Sequence, residues 1–198
     1  MSARLVEPGE HAAVYAALAR AFADDPVTCF IFPDDASRER RLRGFYRATT
    51  PLMVAHGAFY SDDQQRGGAI WQAPDPPRPP ILALASMVVQ SAVVLRSRVV
   101  AGIRVAEALE QHRLKEPHWY LAILGTDPRH QGKGVGSELM RPILERCDAE
   151  NTTAYLESSK RENIPFYERH GFEVSDEVQV PGGPLIWPMV RRRSGAPA

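Results

Sequence analysis

Several things are scarce in this chain, and each scarcity excludes something. Two cysteines, Cys29 and Cys147, stand in 198 residues, too few for a disulfide framework. The six histidines are scattered without the spacing that holds a metal ion, so no metal is expected. Charge of one sign is missing: 24 Lys and Arg balance 24 Asp and Glu, so nothing marks a nucleic-acid partner or an anionic membrane surface. The opening residues 1–7 contain no apolar run of the kind an export leader carries. The longest apolar stretch, 81–95, is interrupted by Ser86, Gln90 and Ser91 and is too short to cross a bilayer. These shortages predict a soluble cytoplasmic protein, monomer or homodimer. It is expected to hold a single domain over 1–190 and a basic, disordered tail over 191–198.

Glycine is concentrated at one place. Residues 119–137 read Trp-Tyr-Leu-Ala-Ile-Leu-Gly-Thr-Asp-Pro-Arg-His-Gln-Gly-Lys-Gly-Val-Gly-Ser. The first half is a short apolar run bounded by Pro117 and by Asp127-Pro128, the pattern of a buried strand. The second half opens an amphipathic segment in which Leu139, Met140, Ile143, Leu144 and Cys147 share one helical face. A strand, a glycine loop and a helix in succession present unpaired N–H groups and a positive dipole end to an anion. The stretch is therefore expected to cradle a pyrophosphate.

Three cradles compete. A P-loop needs Ser or Thr directly after its lysine, whereas Lys133 is followed by Gly134. The dinucleotide fingerprint needs G-x-G-x-x-G, but Gly132, Gly134 and Gly136 are spaced G-x-G-x-G. Glu157, about 20 residues on, does sit where a ribose-binding acid belongs, yet such a motif usually opens a domain and this one lies late in the chain. The third candidate is Gln131-x-x-Gly134-x-Gly136, and the residues after it decide its weight.

Around the cradle, the pattern predicts a short strand at Leu5 and Val6 and an alanine-rich helix to about Phe22 that Asp24-Asp25-Pro26 ends. Phe30, Ile31 and Phe32 are too apolar for an exposed loop. They are expected either as a loop folded on the core or as a substrate wall. Ser37 is expected to cap a basic helix reaching about His56. Residues 58–61 and 68–72 read as a hairpin, and the five prolines of 73–80 as an extended linker. Residues 81–112 read as a helix broken near Gly102. Its apolar first half is expected in the core or, alternatively, along an apolar acceptor pocket. A strand at 153–158 follows the cradle helix, in which Pro142 predicts a kink. Asn163 is expected to cap a short helix, and residues 172–180 and 185–190 form a last hairpin.

Four blocks now fall in order: Leu124-Gly-Thr-Asp-Pro128, Gln131 to Gly136, Leu156-Glu157, and Asn163 with Phe166-Tyr167 and Gly171-Phe172. In this order and spacing they resemble the GNAT superfamily of acetyl-CoA-dependent N-acetyltransferases. Residues 21–26, 115–119, 163–169 and 180–184 are similar, more narrowly, to the puromycin N-acetyltransferase branch of it. The resemblance implies an α/β fold with a mixed, mostly antiparallel central sheet and helices on both faces. It implies acetyl-CoA as the acyl donor and the primary amine of a small molecule, puromycin-like, as acceptor. By the same resemblance the pantetheine arm pairs with Leu124, Gly125 and Thr126 and is bonded by Asn163. The pyrophosphate rests on Gln131, Gly132, Lys133, Gly134, Val135, Gly136 and Ser137, and the Tyr167 hydroxyl protonates the departing thiolate.

The base is less sharply marked. Glu157, at the end of its strand, is either the base that takes the amine proton or a structural carboxylate. Asp25, with Asp24, either attracts a cationic amine or simply ends the helix; Phe30 and Phe32 are the candidate acceptor wall. Neither cysteine lies near a base, which favours direct transfer over a covalent relay. The rival functions are acetylation of another amine, a CoA-binding domain without turnover, and a dehydrogenase.

Overall fold

Period-2 burial along the strands and period-3.6 burial along the helices build two layers of helix around one sheet. In the computed structural model, which describes residues 2–193, β1 (Arg4–Leu5) precedes α1 (His11–Ala21), α2 (Pro26–Ile31) and α3 (Asp35–Met53). The hairpin β2 (Gly57–Ser61) and β3 (Gly67–Gln72) follows, then α4 (Ile81–Leu95) and α5 (Val99–His112). Next come β4 (His118–Thr126), α6 (Val135–Glu150), β5 (Thr153–Ser158) and α7 (Ile164–Glu168). The last strands are β6 (Glu173–Val174), β7 (Val178–Gln179) and β8 (Leu185–Arg191). Among the described residues the strands form one sheet in the order β1-β2-β3-β4-β5-β8-β6, with β7 also on β8. Every pairing is antiparallel except β4 with β5. This is the mixed, mostly antiparallel sheet with helices on both faces that the resemblance implies.

The apolar stripe of α6 (Leu139, Met140, Ile143 and Cys147) packs on Trp71, Leu121 and Leu156. On the opposite face, Val14 and Leu18 of α1 and Tyr46 of α3 pack on Phe59, Ile70 and Ile123. A smaller cluster joins Val105 and Ala108 of α5 to Val178 and Ile186, with Val27 and Phe30 of α2 against it. Burial on this scale is the main force holding the layers together.

Two irregularities of β4 create the site. Ile70 pairs with Ile123 but Trp71 pairs with Leu121, so Ala122 is an extra residue, a β-bulge. The bulge reverses the alternation, which is why Leu121 faces α6 while Ile123 faces α1. The parallel ladder between β4 and β5 runs from His118↔Thr153 only to Leu121↔Leu156. Beyond it β4 stays with β3, and β5 stays with β8 through Glu157↔Pro188 and Ser158↔Trp187. The two strands part there, leaving one edge of 122–126 without a β5 partner.

Several expectations are corrected. Residues 30 and 31 are not a loop: Pro26–Ile31 is helical, with Asp25 as its N-cap accepting from the Thr28 N–H at 2.9 Å, whereas Phe32, just past its end, is loop folded on the core. Asp25 therefore starts a helix rather than ending α1, because Pro26 at the first helical position is pre-set for a new helix. Asp34, not Ser37, stands at the N-cap position of α3, and the Ser37 hydroxyl donates to the Asp34 carboxylate. The break after α4 falls at Arg96, whose φ is 52°, rather than at Gly102. The Arg41 guanidinium donates to the Val94 and Leu95 carbonyls there, satisfying the end of the helix.

The apolar helix α4 is not core. Ile81 is 84% and Leu82 85% exposed, and Val89 and Val93 also face outward; only Leu95, at its end, is buried. By length and composition 81–112 reaches what a membrane span needs, with a mean hydropathy of 1.4 in its best window. The backbone, however, breaks at Arg96, and the 15 residues of α4 reach about 22 Å, short of the roughly 30 Å of a bilayer core. Pro142 lies inside α6, yet the helix runs unbroken from Val135 to Glu150. Strand β8 continues through Arg191, one residue into the expected tail, where Arg191 pairs with Asp148; residues 194–198 lie outside the described residues.

Candidate active site

The parting of β4 and β5 opens a cavity of about 1150 Å³. Its floor is Leu121 to Thr126, and its far wall is Leu156 to Lys160. One end is closed by the 20–26 segment after α1, the other by the glycine loop and α7.

At the loop end, Asp127 ends β4 and accepts from the Arg129 N–H at 3.1 Å, capping a 3-10 turn over Pro128–His130. The chain then turns back through Gly132 (φ 71°) and Gly134 (φ 78°), a region that residues with a Cβ avoid. Gly134 is the N-cap of α6, so the first N–H groups of the helix open on the cavity. The Gln131 amide donates to the Thr126 carbonyl at 3.2 Å. Leu124, Gly125, Thr126, Gln131, Gly132, Gly134, Val135, Gly136 and Ser137 all line the cavity. Lys133 does not; its ammonium donates to the Arg129 carbonyl at 3.2 Å, on the outer side of the turn. The Ser137 hydroxyl is engaged with His170 Nε2 at 2.9 Å, leaving its backbone N–H for an anion.

Asp127 anchors this loop to the body. It is almost fully buried, and both Arg129 and Arg20 of α1 reach its Oδ2 at 2.7 Å. The Arg129 guanidinium, with Arg20 behind it, holds the carboxyl well below the usual carboxylate range. A depressed pKa contributes stability above the ordinary value of about 4 and loses it as pH falls through the folded one. Asp127→Ala is expected to lower unfolding free energy by about 1.5–3 kcal/mol at neutral pH, the range for hydrogen bonds to a charged group. The difference from wild type should shrink in acid when both are followed by denaturant unfolding.

The candidate chemical residues line the cavity beside the parting. Asn163 is the N-cap of α7 but makes no side-chain cap bond, and it lines the cavity together with Tyr167, four residues on. The Tyr167 ring is buried against Phe166 and Phe172, with centroids 5.1 and 6.2 Å away. Burial, and then the Asp25 charge, push its phenol above the ordinary range, so it stays protonated at neutral pH. Glu157 lines the same cavity, and its Oε1 is buried without a hydrogen-bond partner. Burial raises its carboxyl above the ordinary value, against the Tyr120 and Tyr155 hydroxyls and Arg113, which favour the charge. Such a carboxylate is a stronger proton acceptor than an exposed one.

The acceptor side departs from expectation. Asp25 lines the cavity, but one carboxylate oxygen caps α2 and the other accepts from the Ser159 hydroxyl. Beside it Asp24 binds Lys160 at 2.6 Å, so the two acids tie the α1–α2 turn to the end of β5. Phe30 and Phe32 do not line the cavity. Helix α2 turns Phe32 into the core against Phe45 and Phe30 toward Val180 and α5. Nor does α4 reach it; Phe22 and Pro26 provide the apolar wall at that end.

Sequence reasoning missed Tyr120, Tyr155 and Arg113 around Glu157. Tyr155 and Glu157 are two apart on one strand, a signal for a shared face; Tyr120 joins them only through the register Tyr120↔Tyr155. Cys147 faces the core under α6, where burial pushes its thiol up to about 11.

Similarity to known proteins follows the same geometry. The sequence model of the acetyltransferase (GNAT) family matches residues 7–172. An uncharacterized N-acetyltransferase of Schizosaccharomyces pombe is 40% identical over 62 residues, 31% of this chain and 25% of that protein. The match thus spans only a quarter of that curated relative's length. Among solved structures, a Corynebacterium glutamicum protein described as histone acetyltransferase HPA2 and related acetyltransferase aligns with a TM-score of 0.75. It is 20% identical, with 100% of this chain and 98% of that one covered. Chaetomium thermophilum Naa20, solved in complex with a bisubstrate analogue, aligns at 0.51 with 15% identity, covering 98% of this chain and 87% of that one. At such identities the structural likeness speaks for the fold alone. With the family model spanning most of the chain, and its glycine loop lying where β4 and β5 part, the protein belongs to the acetyltransferase (GNAT) family, whose members use acetyl-CoA.

Proposed function

We propose that this chain transfers the acetyl group of acetyl-CoA directly to the primary amine of a small molecule, with a puromycin-type aminonucleoside as acceptor. One observation carries the reading: a carboxylate with one buried, unpaired oxygen, Glu157, and a buried phenol, Tyr167, line the same cavity as the glycine cradle. A cradle alone would suit any CoA-binding domain; a base and an acid beside it suit turnover.

The residues fit the cofactor. Gly132 and Gly134 hold a backbone turn that frees N–H groups for a pyrophosphate, and the unpaired edge of 122–126 can bond an extended arm as an added strand would. Acetyl-CoA supplies the acyl group as a thioester, an activated carbonyl with a thiolate leaving group. Glu157 takes the proton of the acceptor amine, and its raised basicity suits that task near neutral pH. Tyr167, kept protonated by burial, gives a proton to the leaving sulfur and is recharged by solvent. Asn163 orients the arm. The buried Cys147 thiol favours direct transfer over a cysteine relay. The puromycin branch is supported by the sequence blocks at 21–26, 115–119, 163–169 and 180–184 and by a wall of Phe22 and Pro26 for an aromatic acceptor.

The test is thiol release from acetyl-CoA by the purified protein over a panel of amines that includes puromycin. Saturable acetylation of puromycin is expected, with KM in the ordinary enzymatic range of roughly 1 μM to 1 mM. Turnover with another amine and none with puromycin would move the acceptor while keeping the transfer. CoA binding with no thiol release on any amine would leave a CoA-binding domain.

A further inference from the structure

The glycine cradle has a titratable ring built against its back, and a role for that ring rests on the cradle holding the pyrophosphate of acetyl-CoA. The first helical bond of α6 runs from the Glu138 N–H to the Gly134 carbonyl at 3.1 Å, so the N–H groups of Val135, Gly136 and Ser137 are left for a ligand. Ser137 also brings a hydroxyl to that turn, and it lines the cavity. The hydroxyl oxygen lies 2.9 Å from His170 Nε2, while His170 itself stands behind it, outside the cavity lining.

His170 is half-buried and held from several sides. Its N–H donates to the Tyr167 carbonyl at 2.9 Å, and its carbonyl accepts from Arg191 Nε at 3.0 Å. Its ring is 5.1 Å from that of Phe166, which closes in turn on Gly136: a Cβ there would lie 3.1 Å from it. The first turn of α6 and the end of α7 are therefore joined by one apolar and one polar contact. The charges facing His170 are Arg169 beside it, at the cavity wall, and Arg191 of β8, which is tied to Asp148 of α6 at 2.6 Å. Burial, then Arg169 and Arg191, lower the pKa of the ring, which keeps it neutral at neutral pH.

A neutral imidazole nitrogen either accepts a hydroxyl proton or donates to the hydroxyl oxygen, whereas both nitrogens of an imidazolium donate. Once protonated, His170 must give its Nε2–H to Ser137 Oγ, and the Ser137 proton is then free to point into the cavity. A diphosphate in the cradle favours that state in two ways: its charge stabilises the imidazolium, and it offsets Arg169, which opposes it.

We propose that His170 is a positioning residue of the cradle: it takes up a proton from solvent as acetyl-CoA binds, and so turns the Ser137 hydroxyl into a donor to the pyrophosphate. Because the proton is gained on binding, affinity rises as pH falls through the window between the ring's pKa in the complex and its lower pKa in the free protein. It is level outside that window.

The test is calorimetric titration of the whole protein with CoA at about pH 6.5, near the ordinary histidine pKa, in buffers of differing ionisation enthalpy, which counts the protons taken up. His170→Gln is the reference, since the phosphates of CoA titrate alike in both proteins. Wild type is expected to take up more protons than the variant, by a large fraction of one. From about pH 8 to about pH 5.5 its affinity should gain about tenfold more, the worth of a one-unit rise in pKa. Ring NMR of His170, assigned through its contact with Phe166, should show that rise directly on adding CoA, even if the variant fails to fold. Ser137→Ala should bind CoA more weakly and lose most of the pH gain. Equal proton uptake in wild type and His170→Gln, or an unmoved ring midpoint, would overturn the role of His170 and leave the cradle in place. Full affinity and an undiminished pH gain in Ser137→Ala would overturn the part given to the hydroxyl. Absence of CoA binding by wild type would overturn the cradle, and this pair with it.

Discussion

Tyr167→Phe is expected to lower kcat by roughly 10²–10⁴-fold, the usual contribution of a positioned acid or base, with acetyl-CoA affinity unchanged. The substitution removes one oxygen and keeps the ring among Phe166 and Phe172, so packing is conserved. In the proposed transfer the departing thiolate takes its proton from a fixed donor, and Tyr167 suits that role: burial and the nearby Asp25 charge keep the phenol protonated far above neutral pH. The measurement is steady-state kinetics alongside calorimetric titration with acetyl-CoA. A kcat within a few fold of wild type would return Tyr167 to packing and give the proton to solvent. A parallel loss of acetyl-CoA affinity would show that the ring, and not its hydroxyl, had been disturbed.

Gly134→Val should weaken CoA binding by at least about tenfold. Gly134 has φ 78° and caps α6, and a left-handed conformation costs an L residue roughly 1–2 kcal/mol, more when it is β-branched. The chain can relieve that strain only by turning the first N–H groups of α6 away from the pyrophosphate. Nothing in the protein lies within 4 Å of an added Cβ there, so the penalty comes from the backbone and not from a clash. Gly134→Asn is the informative partner, because asparagine tolerates φ above zero. Its affinity should stay near wild type. Equal weakening by Asn and Val would mean that close approach of the ligand, rather than φ, demands glycine. Unchanged affinity in Gly134→Val with the fold intact would reject the cradle.

The cradle was legible because its requirements are local. Residues 119–137 carry their own strand pattern, glycines and helix stripe, and the structure places them as β4, turn and α6. Asn163 and Tyr167 were legible for the same reason, since four residues on a helix share a face whatever the helix packs against. Segment 81–112 misled. Its first half is apolar enough to be core, yet it is exposed, because α4 rests on α3 along one side only, from about Met87 to Leu95. Phe30 and Phe32 misled in a related way. They are apolar as a wall would be, but the Asp25 cap starts a helix that turns Phe30 toward α5, and Phe32, just past its end, folds into the core.

By itself, then, the order of residues determined most of the elements, the glycine turn with the helix that follows it, and the shared face of Asn163 and Tyr167. Each depends on backbone preferences and periodicities within a few residues of one another. Tertiary structure alone decided which groups surround Glu157, which aromatic rings reach the cavity and where β4 and β5 part. Those follow from the Ala122 bulge, the Tyr120↔Tyr155 register and the docking of α5. A one-residue slip in that register would turn Tyr120 to the other face of the sheet.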